Sequence, residues 1–286
     1  MSQSPAGYPG TFARLADRPE DLPVSSVMPE NTDDARSRRG PAEERWIESA
    51  GAQLWTTQGG NGTALVLFNG GPGCNDYLGP VAAMLEGPCR VIRFEARGCG
   101  RSSWDGKYDL ATLIDDADAI RRAYGIERWI VAGHSAGACS ALAYALRHPE
   151  RTLGIIGIAG GSLVDDREWS RVYHERLENE GEDRGGVEFV CDTQVNPIGV
   201  RSWREFIKRP TLLRQIASLE LPAVFINAGQ DIRPNWPTQQ LAHLLPRGRY
   251  VCVPDAAHYP WLSQPEALAR ELRTALDYVT GQGLGG

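Results

Sequence analysis

The sequence predicts an α/β fold: a doubly wound, mostly parallel sheet with a small helical cap insertion. Three observations carry this reading. Short apolar runs recur at residues 64–68, 89–94, 128–132, 153–159, 223–228 and 250–253. They are continuous rather than alternating, as in strands buried on both faces. Segments of helical periodicity separate most of them, and strand–helix alternation builds a parallel sheet covered by helices. The third observation is a break: residues 162–209 hold charged helical pieces and no clear buried strand.

Each element follows in chain order. Residues 1–44 are rich in Pro, Ser, Asp and Arg and lack an apolar period. They read as an N-terminal extension, either a loosely packed arm or a strap across the site. The core is expected at 45–161 and 210–286. Residues 46–49 and 53–57 read as a hairpin around the small-residue turn Ala50-Gly51-Ala52. Leu110, Leu113, Ile114, Ala117 and Ile120 fall at helical spacing, and Gly125 marks the stop. Further helices are expected at 138–147, closed by Pro149, and at 239–245 and 265–278. In the insertion, Trp169, Val172, Tyr173 and Leu177 form one apolar stripe in a charged segment. The insertion leaves the sheet at its C-terminal edge, where ligands bind in such folds. It is therefore expected to cover the site, with Trp169 and Tyr173 lining it. The alternative is a surface excursion packed outside the core.

Composition limits the partners. The chain has 286 residues and a formal charge of −6. Nucleic acid and anionic membranes call for a basic surface, which this balance does not supply. No apolar run approaches the roughly 18 residues of a membrane span. The first ten residues lack the charged start and apolar stretch of a signal peptide. A cytoplasmic location and a small-molecule or short-peptide substrate are expected, and the oligomeric state stays open. The six cysteines form no Cys-x-x-Cys pair. They read as reduced thiols rather than metal ligands. Cys89 and Cys252 fall in or beside apparent buried strands. No dinucleotide fingerprint is present, so no cofactor is expected.

The chemistry is concentrated at Gly133-His134-Ser135-Ala136-Gly137. This Gly-x-Ser-x-Gly follows a buried strand and opens a helix, the context of a nucleophile elbow. Small residues are needed because the turn is strained and the chain passes close by. Ser135 is the expected nucleophile. A serine hydroxyl needs a base, and five histidines are available. His134 occupies the elbow's x position; His148 ends the elbow helix, His174 lies in the insertion and His243 on a late helix. His258 follows the last strand and is the expected base. The orienting carboxylate is expected from Asp231, after the strand 223–228; Asp165 and Asp166 are rivals. The order serine, acid, histidine is that of elbow-type hydrolases. Asn69-Gly70-Gly71-Pro72-Gly73 follows the strand 64–68 and leaves backbone N–H groups to face the site. The N–H groups of Gly71 and Ala136 are the expected oxyanion donors.

The segments Asn69-Gly70-Gly71-Pro72-Gly73 and Glu95-Ala96-Arg97-Gly98-Cys99-Gly100-Arg101-Ser102 resemble the proline iminopeptidase group of α/β hydrolases. Gly229-Gln230-Asp231 and Ala257-His258-Tyr259-Pro260-Trp261 match the superfamily's late motifs. The resemblance covers roughly residues 45–280 and implies the α/β-hydrolase fold. It also implies a structural role for the Arg97–Ser102 segment and none in catalysis for Cys99. Asn69 stands where the group carries His, Glu95 where it carries Asp, and Ala136 where it often carries Trp. The insertion is shorter than the peptidase cap, which supplies acidic groups that grip the substrate's free amine. Glu168, Glu175 and Glu178 are the acidic candidates here.

The expected reaction is hydrolysis of a small ester or amide through an acyl-enzyme. An aminopeptidase and a carboxylesterase or lactonase fit equally. Ser135 excludes the aspartate-nucleophile branch of epoxide hydrolases and dehalogenases. Cofactor-free haloperoxidases and hydroxynitrile lyases keep the serine and stay open. A protein of another class would use the pocket to bind a ligand without turnover.

Overall fold

A computed structural model describes residues 43–163, 167–181 and 185–281. The expected arm or strap lies almost wholly outside the described residues. Eight strands form one sheet: β1 Glu43–Ser49, β2 Ala52–Gly59, β3 Thr63–Phe68, β4 Cys89–Phe94, β5 Trp129–His134, β6 Thr152–Ile158, β7 Ala223–Ala228 and β8 Gly248–Val253. The sheet order is β1-β2-β4-β3-β5-β6-β7-β8. The strands from β4 to β8 in that order pair in parallel, and the β1–β2 hairpin joins β4 antiparallel.

The continuous apolar runs have a direct structural cause. Successive strand residues point to opposite faces. Val66 and Phe68 enter the core on one face, while Leu65 and Leu67 enter the core on the other. The first core packs against α2 (Leu110–Ala123) and α3 (Ala136–Arg147), and the second against α1 (Gly79–Leu85) and α9 (Pro265–Thr280). Each of these side chains contributes about 1.5–3 kcal/mol on burial, which favours apolar residues on both faces.

β8 departs from the sequence reading. It is an edge strand, and Cys252 on it is exposed rather than buried. An edge strand has one neighbour and incomplete helix cover, and a charged residue on it discourages further pairing. Arg249 fills that role, with its guanidinium carbon 3.6 Å from the centre of the Tyr278 ring. α3 begins at Ala136, two residues earlier than its apolar pattern shows, because the elbow serine itself is its N-cap. The remaining helices are α4 (Arg167–Glu180), α5 (Val195–Ile207), α6 (Leu212–Ala217), α7 (Trp236–Leu244) and α8 (Pro260–Ser263).

The strand order positions the site. The chain passes from β3 outward to β4, then crosses back so that β5 lies on the other side of β3. Such a reversal opens a crevice at the C-terminal ends of the two central strands. The glycine-rich loop follows β3 and the elbow follows β5, so the two face each other there. α4 and α5 both derive from the chain between β6 and β7.

Candidate active site

Ser135 sits at φ 54° and ψ −122°, a conformation strained for any residue but glycine. The fold enforces it through tight packing. A Cβ on Gly137 would overlap the carbonyl oxygen of Phe68, and one on Gly133 would overlap the Gly137 backbone. Gly160, after β6, presses against the Ser135 backbone in the same way. Serine at an N-cap ordinarily accepts a helix N–H with its hydroxyl oxygen. Here Ser135 makes no such capping bond, which leaves its oxygen for other partners.

Asp231 and His258 come together. His258 Nδ1 lies 2.6 Å from Asp231 Oδ2, and both side chains are buried. The second carboxylate oxygen accepts from the Arg233 backbone N–H at 3.0 Å and from its guanidinium at 3.2 Å. Burial by itself would raise the Asp231 pKa. The hydrogen bond and charge of His258, then Arg233, outweigh it and hold the carboxyl below its ordinary range. His134, the residue before Ser135 on the elbow, packs against His258. The His134 and His258 ring centres are 4.7 Å apart, and His134 Nε2 donates to the His258 carbonyl at 2.8 Å. Asp165 and Asp166 lie outside the described residues.

Neither the Gly71 nor the Ala136 N–H has an acceptor among the described residues. Asn69, at the start of the glycine-rich loop, donates from Nδ2 to the Phe94 carbonyl at 2.9 Å, which ties the loop to β4.

The Glu95–Ser102 segment makes buried structural contacts. Arg97 donates twice to Asp116, at 2.7 and 2.8 Å, and once to the Ser49 carbonyl at 2.8 Å. Glu95 accepts from Arg101 and from the Asp76 N–H. Burial would raise the Glu95 pKa, but the Arg101 bonds hold it down. These contacts tie the segment to β1, to α2 and to Asp76 beyond the glycine-rich loop. The Cys99 thiol is buried, which pushes its pKa up to about 12 and keeps it a neutral packing group.

The insertion lies close to this machinery. Trp169, Val172, Tyr173 and Leu177 are half-buried on α4, as is Ser170. Trp169 and Tyr173 stack at 5.3 Å, and the Arg233 guanidinium lies 5.6 Å from the Tyr173 ring. Arg176 donates to the Asp231 carbonyl at 3.1 Å. The opposite face of α4 carries Glu168 and Glu175, both exposed and both paired with Arg171. Glu178 is also exposed. Farther on, Asn196 of α5 donates to the Pro72 carbonyl at 3.0 Å, and Cys191 forms a β-bridge with Cys99. One end of the insertion thus touches the Asp231 loop and the other touches the glycine-rich loop.

Sequence reading missed Tyr77, Arg233 and the part played by His134. Tyr77 and Arg233 lie in loops without a recognisable motif. His134 was visible only as an elbow position. Among the described residues no cluster of His, Cys, Asp and Glu could hold a metal ion. No helix among them is long and apolar enough to cross a membrane.

Comparison with known proteins agrees with the fold. The family described as "alpha/beta hydrolase fold" matches residues 63–180. A proline iminopeptidase of Neisseria gonorrhoeae is 31% identical over 192 residues, which cover 54% of this chain and 58% of the relative. One from Xylella fastidiosa is 38% identical over 113 residues, 36% of this chain and 35% of the relative. The chain thus matches well under two thirds of the length of these relatives. A solved thermophilic esterase from Thermogutta terrifontis superposes with a TM-score of 0.67 at 22% identity, covering 84% of this chain and all of that one. The chain is an α/β-hydrolase-fold protein whose sequence resembles the proline iminopeptidases.

Proposed function

We propose that this protein hydrolyses a small ester or amide through an acyl-enzyme. The observation that carries the reading is the buried Asp231–His258 pair, whose histidine packs on His134 of the strained elbow. Ser135 Oγ attacks the carbonyl carbon, and His258 Nε2 takes its proton. Asp231 holds the Nδ1–H and stabilises the imidazolium that forms. The developing oxyanion accepts from the Gly71 and Ala136 N–H groups, whose dipoles are fixed before the reaction. The start of α3 adds its positive end. The intermediate collapses as His258 returns the proton to the leaving group. His258 then deprotonates a water, which cleaves the acyl-enzyme and restores Ser135.

A substrate without a free amine is favoured over an aminopeptidase substrate by one feature of the insertion. Of the acidic candidates for an amine grip, Glu168 and Glu175 face solvent and pair with Arg171, and Glu178 is exposed. The face of α4 toward Asp231 presents Trp169, Tyr173 and the neighbouring Arg233 instead. Activity against short-chain aryl esters and amino-acyl arylamides, measured side by side, tests this. Ester turnover with no gain from a free α-amine is expected. A strict amine requirement would return the chain to the aminopeptidase reading. Labelling by a fluorophosphonate, lost in Ser135→Ala, tests the nucleophile and separates an enzyme from a ligand-binding protein.

A further inference from the structure

Three loops must be held in register for the proposed chemistry, and they come from three different strands. The glycine-rich loop follows β3, the elbow follows β5 and His258 follows β8. A chain of hydrogen bonds joins all three through two side chains. The Gly70 N–H donates to Tyr77 Oη at 2.8 Å. Tyr77 Oη lies 2.6 Å from His134 Nδ1, and His134 Nε2 lies 2.8 Å from the His258 carbonyl oxygen.

The proton positions in this chain follow from donor capacity. A carbonyl can only accept, so His134 Nε2 carries the proton and Nδ1 is the acceptor. Tyr77 must then donate its single O–H to Nδ1, which leaves its lone pairs for the Gly70 N–H. Each group has one role and no group is left over. The titration of both residues preserves the pattern. Burial, then the charge of His258, holds the His134 pKa well below its ordinary value, and burial raises that of Tyr77. Both therefore stay neutral through the physiological range.

The two rings are also locked in place. His134 is fully enclosed and lies 5.7 Å from Tyr77, 5.3 Å from Tyr259 and 4.8 Å from Trp261, centre to centre. Tyr77 stacks on Trp261 at 6.0 Å. A Cβ on Gly70 would come within 2.5 Å of Tyr77 Oη, so only glycine admits this approach. The chain ends on groups adjacent to the reacting ones. Gly70 shares a peptide unit with the Gly71 N–H, His134 precedes Ser135, and the His258 carbonyl belongs to the base itself.

We infer that Tyr77 and His134 are positioning residues, which set the Gly71 N–H and the His258 imidazole in register with Ser135. This rests on the serine-hydrolase reading above. A packing role alone would require the rings but not the hydroxyl.

The test is Tyr77→Phe, which keeps the ring and removes one oxygen. An ester substrate gives kcat and KM, and an arylboronic acid, which bonds to the serine and places an oxygen at the oxyanion position, gives an affinity. The expected result is a fall in kcat of about 10- to 100-fold, the scale of a misplaced donor or base. Boronate affinity falls in parallel, KM changes little and the melting temperature stays close to that of the parent. His134→Gln, measured the same way, decides the matter if the first variant does not fold. Parental kcat and boronate affinity in a folded variant would overturn the inference. So would a loss that merely tracked the folded fraction. If the unaltered protein showed no fluorophosphonate labelling, the serine-hydrolase reading itself would fall, an outcome distinct from unchanged kinetics in Tyr77→Phe.

Discussion

His258 Nδ1 and Asp231 Oδ2 lie 2.6 Å apart, although 27 residues of chain separate them. The two belong to loops that follow β8 and β7, which are neighbours in the sheet. Parallel pairing of those strands is what places the loops at one edge. This hydrogen-bonded pair is a consequence of topology, and the expected behaviour of variants follows from it.

Ser135→Ala is expected to abolish turnover by several orders of magnitude, because removing the nucleophile leaves only the binding and oxyanion contributions. Its thermal melt should match that of the parent, since the side chain makes no capping bond. Kinetics and a melting curve on the same sample check both parts. Near-parental activity in a folded variant would reject the assignment.

Asp231→Asn is expected to lower kcat by about 10⁴-fold, as loss of the acid does in a triad. Asp165→Asn and Asp166→Asn should each cost far less. The same variant carries a pH signature. The Asp231 pKa is lowered in the folded state, so its ionised form contributes stability above the unfolded value of about 3.9. That contribution is lost as pH falls through the folded pKa. Urea unfolding of parent and variant should therefore converge as the pH falls below about 4. A stability gap that stayed constant into acid would contradict the lowered pKa.

Arg233→Met removes the cation that shares the Asp231 carboxylate with His258. A positive charge beside the pair disfavours protonation of the imidazole. Without it, the acid limb of the rate profile should move to higher pH. Comparison of kcat/KM profiles across the acid limb measures the shift. An unmoved limb would mean that solvent screens Arg233 from the histidine.

Trp169→Ala and Tyr173→Ala are expected to change the ranking of substrates more than they change stability. The two rings stack on the side of α4 nearest Arg233 and the Asp231 loop. A panel of aryl esters of increasing acyl length, with melting temperatures alongside, separates the possibilities. A fixed ranking with a lowered melting temperature would make the segment structural and end the lid reading.

The apolar runs at 64–68 and 223–228 were legible as strands because each residue in them must be buried on one face or the other. The glycines at 133 and 137 were legible because a close approach leaves no room for a side chain, whatever the neighbours are. Periodicity and small-residue spacing record what one element demands of its own surroundings. They do not record which distant element supplies those surroundings. Cys252 therefore read as buried, although β8 has a single strand neighbour. Tyr77 showed no signal at all, because a tyrosine in a loop acquires meaning only when Gly70 and His134 are brought to its hydroxyl. Arg97 likewise finds Asp116 only once the loop after β4 and helix α2 are packed together. The sequence by itself determined the layered α/β architecture and the elbow, since both arise from local burial and local sterics. The tertiary structure decided the edge of the sheet, the Arg233–Asp231–His258 cluster and the Tyr77–His134 link, since each depends on hydrogen-bond partners that only chain crossing brings within about 3 Å.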